Sequence, residues 1–142
     1  MTVRAILDVK GRQVVSIGVD ATVGSVVALL AERRIGAVLV MADERMEGIV
    51  SERDIVRVLA ERGAKVLDEP VRALMTTRVM TCRKADTVAS VMEKMTDGKF
   101  RHLPVIEDGR VVGIVSIGDV VKHRLSEFEH EQEALRDYIK TA

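Results

Sequence analysis

Apolar residues recur along the chain with two periods, and the periods alternate in the same order twice. Val23, Val26, Val27 and Leu30 stand at i, i+3, i+4 and i+7, and Val88, Val91, Met92 and Met95 repeat that spacing. Each set draws one apolar stripe along a helix. Thr22 and Thr87 stand just before the stripes, where a threonine oxygen can accept from an orphan helix amide. Two short β-rich runs follow each helix, Ala37 to Met41 and Met46 to Val50, then His102 to Ile106 and Val111 to Val115. They flank Ala42-Asp43-Glu44-Arg45 and Glu107-Asp108-Gly109-Arg110, which read as hairpin turns. A second helix is predicted over Glu52 to Arg62 and over Ile117 to about Leu125, and a short strand before each first helix, near Val14 to Ile17 and Val79 to Cys82.

The pattern is an internal repeat. Displaced by 65 residues, Thr22-Val23-Gly24-Ser25-Val26-Val27 falls on Thr87-Val88-Ala89-Ser90-Val91-Met92, and Gly48-Ile49-Val50-Ser51 on Gly113-Ile114-Val115-Ser116. Each copy reads β-α-β-β-α, an α/β (α+β) unit whose small sheet would have one bare face. Packing the two sheets together covers both and relates the copies by a pseudo-twofold axis, with an equivalent cleft beside each Gly-Ile-Val-Ser-x-x-Asp. The division expected is 1–67, a lead-in helix (Thr2 to Val9) and the first copy; 68–125, its counterpart lead-in (Glu69 to Met75) and the second copy; and 126–142, a charged C-terminal helix. Phe128, Leu135, Tyr138 and Ile139 give that last helix a thin apolar edge suited to a partner.

Composition narrows the function. Lys plus Arg equals Asp plus Glu at 22 each, so no net field favours nucleic acid or an anionic membrane. The only aromatic residues, Phe100, Phe128 and Tyr138, make no base-stacking platform. No secretory leader or membrane span is legible, and a cytoplasmic location follows by default. His102, His123 and His130 are too scattered for a metal set, which the lone Cys82 cannot complete. Cys82 itself reads as a packed thiol. Ser51 has no sequence-near histidine to activate it, so no catalytic residue is assigned and an enzyme is disfavoured.

Where the strand Gly48-Ile49-Val50 ends and a helix begins, Ser51-x-x-Asp54 can be read in two ways, as can Ser116-x-x-Asp119. Serine with an acidic residue three positions on is a helix-capping pattern. It is equally a nucleotide motif, in which helix amides and a serine hydroxyl meet phosphate and the carboxylate accepts from ribose hydroxyls.

Two such units, each ending Gly-hydrophobic-hydrophobic-Ser-x-x-Asp, resemble a tandem pair of CBS domains, a Bateman module. The resemblance runs from about Lys10 to Leu125, and Ser51-Glu52-Arg53-Asp54-Ile55-Val56-Arg57 and Phe100-Arg101-His102-Leu103-Pro104-Val105 liken the chain to small stand-alone bacterial members. It implies an adenine-nucleotide ligand (AMP, ADP, ATP, and in some members NAD(H) or S-adenosylmethionine) in the clefts between copies. It also implies a homodimer and a regulated partner protein still to be identified.

Carried over by position, the resemblance puts Asp54 and Asp119 on ribose, with Ser51 and Ser116 beside phosphate or ribose. The Asp119 cleft would draw on Lys10, Gln13, Val15, Ile35, Gly36, Ala37 and Gly118, with Arg101 and His102 toward phosphate. The Asp54 cleft would draw on Thr76, Arg78, Met80, Thr81 and Phe100, with Arg33, Arg34 and Arg53 toward phosphate. Glu52-Arg53 against Ile117-Gly118 makes the two clefts unequal. A dimeric scaffold in which Ser-x-x-Asp only caps helices is the alternative.

Overall fold

The structure, a computed structural model, describes residues 1–141. Its elements run α1 (Val3–Lys10), β1 (Ser16–Gly18), α2 (Val23–Arg33), β2 (Ala37–Ala42), β3 (Arg45–Ser51) and α3 (Glu52–Arg62), then α4 (Val88–Gly98), β4 (His102–Glu107), β5 (Arg110–Ser116) and α5 (Ile117–Thr141). The two copies are built alike. Thr22 and Thr87 cap α2 and α4 by accepting from Ser25 N and Ser90 N, and the helices end on Arg34 and Lys99, both left-handed. Each threonine cap contributes about 1 kcal/mol. β2 pairs antiparallel with β3 and β4 with β5, in registers that match position for position, down to an irregularity at Val40/Met41 and at Val105/Ile106.

Each copy encloses its own core. Val23, Val26, Leu30, Val38, Val40, Val50, Ile55 and Val71 fill the first, and Leu7, Val88, Val91, Met95, Leu103, Val105 and Val115 belong to the second. Leu39 and Pro104 alternate onto the opposite face of their strands, yet both are buried. Both faces of each hairpin are therefore covered, as two stacked sheets require.

Chain order and core membership part at the lead-in segments. Val3, Ile6 and Leu7 of α1 lie in the second core, and Val71 lies in the first. The backbone holds this exchange: Val3 N donates to Asp86 O at 2.9 Å and Val88 N to Met1 O at 3.0 Å, while Val23 N donates to Glu69 O and Val71 N to Ala21 O. Each copy is therefore completed by the segment that precedes the other.

Three expected elements differ. The strand near Val79 to Cys82 shrinks to one parallel bridge, Cys82 with Val105. Past Cys82 the amides turn to side chains, Arg83 N to Asp86 and Lys84 N to Glu107, so the bridge is not continued on that side. The Glu69 to Met75 lead-in forms only a 3-10 turn, Val71–Ala73, behind Pro70. The helix from Ile117 and the C-terminal helix are one continuous element. Gly63, at φ 77°, closes α3, whereas the equivalent position in the second copy is Phe128, and nothing from there to Thr141 breaks a helix.

Candidate functional site

Helix α3 begins on Ser51, whose Oγ accepts from Asp54 N at 3.2 Å while Asp54 Oδ2 accepts from Ser51 N at 2.9 Å. Ser116 and Asp119 repeat both bonds, at 3.2 and 2.8 Å. The capping expected of both motifs is thus realised. The first helical amide is also taken in each copy, Glu52 N by Gly36 O and Ile117 N by Arg101 O. Few helix-end donors are left for a phosphate, so an anion placed here would have to be met by side chains.

Those side chains converge beside Asp54. A cavity of about 280 Å³ lies between the copies, bounded by Ile49, Ser51, Glu52, Arg53, Asp54 and Arg57 of the first and by Val79, Met80, Lys99, Phe100, Arg101 and His102 of the second, with Gly36, Thr76 and Arg78. The cations Arg53, Arg57, Arg78, Lys99 and Arg101 outnumber the carboxylates Glu52 and Asp54, which makes an electropositive recess. Thr76 enters because it follows the exchanged lead-in. Its N and O pair with Ile49 O and N at 2.9 and 3.0 Å, and Gly48 has no room for a side chain, since a Cβ would stand 2.7 Å from Thr76 O. Asp54 keeps its second oxygen toward the recess, where Arg57 Nη2 donates to Oδ1 at 3.2 Å.

The pseudo-equivalent carboxylate is engaged differently. Lys10 Nζ, at the end of α1, donates to Asp119 Oδ2 at 2.6 Å and to Ile114 O at 2.8 Å. Burial alone would raise the Asp119 pKa, but the Lys10 ammonium and the Ser116 amide outweigh it and hold the carboxyl below its ordinary value. The hollow of about 250 Å³ on this side is walled by α1 and α5, through Ile6, Val9, Lys10, Lys122, His123 and Ser126. It does not reach across to the first copy.

The structure therefore brings Ser51, Arg53, Asp54, Thr76, Arg78, Met80 and Phe100 into one cavity, and leaves Thr81, Arg33 and Arg34 outside it. Thr81 O accepts from Lys94, and Arg33 and Arg34 are exposed at the end of α2. Gly36, Arg101 and His102, expected at Asp119, line the Asp54 cavity. His102 rests on Gly36, where a Cβ would stand 3.1 Å from its Cε1. Burial first, and then Lys10, push the His102 pKa down.

Of the remaining Asp119 set, Lys10, Ser116 and Asp119 meet. Val15 and Ile35 pack against the first core, Ala37 is buried in β2, and Gln13 and Gly118 are exposed. Sequence reasoning passed over Ile49, Arg57, Val79 and Lys99, and named Glu52 only as a difference between the two clefts. The repeat register held the signal for Lys99, which falls on Arg34, and i,i+3 spacing from Asp54 held it for Arg57.

Comparison with known proteins agrees with this architecture. The CBS domain family profile matches residues 6–61 and 71–126, and the chain belongs to that family. A CBS-domain protein of Agrobacterium tumefaciens is similar at 46% identity and TM-score 0.86, over 87% of this chain and 99% of that one. A CBS domain protein of Pyrobaculum aerophilum, solved in complex with AMP, is similar at 32% identity and TM-score 0.74, over 84% and 89%. A mitochondrial CBS domain-containing protein of Arabidopsis thaliana is 33% identical over 85% of this chain, which spans 61% of that relative's length. Among the described residues no helix is long and apolar enough to cross a membrane, and no cluster of three or more His, Cys, Asp or Glu could hold a metal ion.

Proposed function

We propose that the chain is a regulatory module that binds an adenine nucleotide in the Asp54 cavity and passes its occupancy to a partner protein. The observation that carries this reading is the composition of the cavity: an acceptor carboxylate, Asp54, beside five cations and the apolar edges of Ile49, Val79 and Met80. An adenosine phosphate offers matching parts, ribose hydroxyls for Asp54, phosphate for the arginines and an adenine ring for the apolar edge. The AMP held by the Pyrobaculum relative supports that ligand class.

The cavity wall comes from both copies, so a bound nucleotide favours one relative orientation of them. The shift is limited to the difference in affinity between orientations. A homodimer in the cytoplasm, acting on a separate protein, is the setting this reading implies. ADP, ATP and NAD(H) are the alternative occupants, and no catalytic step is assigned. Calorimetric titration with AMP, ADP, ATP, NADH, adenosine and inorganic phosphate tests it. The nucleotides should bind more tightly than adenosine or phosphate alone, and equal, millimolar weakness of all six rejects it.

The scaffold reading keeps one specific support, since both Ser-x-x-Asp motifs close capping boxes. At Asp119, where Lys10 already holds the carboxylate, that structural role is sufficient.

A further inference from the structure

From Phe128 to Thr141, α5 is exposed on every side, a helix standing free of the domain. About fourteen residues of helix are marginal alone in water. The root of this one is fixed: Val120 is fully buried in the second core and Ser116 caps the first turn. The large apolar residues that α5 exposes are Val121, Leu125, Phe128, Leu135, Tyr138 and Ile139, and all but Tyr138, which flanks the row, are spaced by alternating fours and threes, with Gln132 in the one polar place. That is a heptad seam, with Leu125, Gln132 and Ile139 at a and Val121, Phe128 and Leu135 at d.

Charges beside the seam select both the occupant and its direction. In a parallel pair, each g residue faces the e residue five positions on in the other helix. Arg124 then meets the second copy's Glu129, and Glu131 meets the second copy's Arg136, so both contacts are attractive. In a fully overlapped antiparallel pair, Glu129 would face the second copy's Glu129, Glu131 its Glu131, and Lys122 its Arg136, all of like sign. In register, Gln132 meets the second copy's Gln132, amide to amide, while any slip buries it against apolar side chains.

We propose that α5 pairs with α5 of a second copy as a parallel, in-register two-stranded coiled coil along Val121 to Ile139. The inference rests on the homodimer of the preceding reading and adds its seam and direction. It also gives the module an output: two parallel helices rooted beside Ser116 carry the relative orientation of the repeats outward.

Light scattering across micromolar to sub-millimolar concentrations reads the test. Wild type should have the mass of two chains, and Phe128→Glu with Leu135→Glu the mass of one, with the thermal transition of the domain retained. Arg124→Glu should weaken association about tenfold by reversing two symmetry-related contacts, and Arg124→Glu with Glu129→Arg should restore it. Leu135→Cys should cross-link under mild oxidation, because identical d positions face each other; Cys82 is buried and does not compete. A wild type that is monomeric throughout overturns the seam and the homodimer together. A dimer that survives Phe128→Glu with Leu135→Glu overturns the seam alone, and a dimer that fails to cross-link through Leu135→Cys overturns its parallel direction.

Discussion

Lys10 Nζ lies 2.6 Å from Asp119 Oδ2, so the N-terminal helix supplies a permanent cation to one carboxylate of a pseudo-symmetric pair whose other member, Asp54, faces an open cavity. The residue equivalent to Lys10 in the second copy is Met75, which has no charge to offer Asp54. On the proposed function, two copies of one motif thereby take different tasks, a strut at Asp119 and a ligand group at Asp54.

Replacing Lys10 by Met should release Asp119 and make the second copy resemble the first. The ion pair is partly exposed, at 32% and 23%, so its loss should cost no more than about 1 kcal/mol. Nucleotide titration should move from one binding event per chain toward two. An unchanged stoichiometry, with the fold intact, would show that Lys10 is not what closes that cleft.

Stability should fall as the pH drops below the ordinary histidine value of 6.5. Burial, followed by Lys10, lowers the His102 pKa, so in that range the unfolded chain takes up a proton that the folded one refuses. Denaturant unfolding from about pH 7.5 to about 5 should show this slope, and His102→Gln should flatten it. The Asp119 contribution has the same sign but is lost only below its ordinary 3.8, which keeps the two windows apart.

Gly48→Ala should destabilise the chain by about 1–3 kcal/mol, since the new Cβ would meet backbone that cannot swing aside. It would lie 2.7 Å from Thr76 O and 2.8 Å from Met75 Sδ. Gly18→Ala is the control, because nothing lies within 4 Å of its Cβ position. Equal melting temperatures for the two variants would contradict the close approach of the exchanged segment.

Cys82 should resist thiol reagents in the folded protein and react once it is unfolded. It is 2% exposed, and burial, with Asp86 adding to it, pushes its pKa up to about 12. Rapid labelling of native protein would contradict that packing.

Most of the fold was legible because its signals are local and repeated. Thr22 and Thr87 cap as their neighbours imply, and the hairpins fall within a residue or two of the apolar runs that predict them. What stayed hidden depends on contacts distant in the chain. That α1 completes the second core follows from Leu7 meeting Gly113, which no period along α1 encodes. The same exchange puts Lys10 on Asp119, and register between copies, rather than composition, moves Arg101 and His102 to the Asp54 cavity. Past Cys82 the chain leaves the sheet because Asp86 and Glu107 capture the amides of Arg83 and Lys84, a competition that β propensity does not record.

Calorimetric titration of AMP into wild type and Asp54→Asn is the most direct test of the central claim. Asparagine can still accept from Ser51 N, so the cap and the thermal transition should persist while the charged acceptor is lost. Wild type should bind one AMP per chain, and the variant should bind it about ten- to a hundredfold more weakly. Equal affinity in the two proteins, or no AMP binding to wild type at millimolar concentration, would contradict that claim.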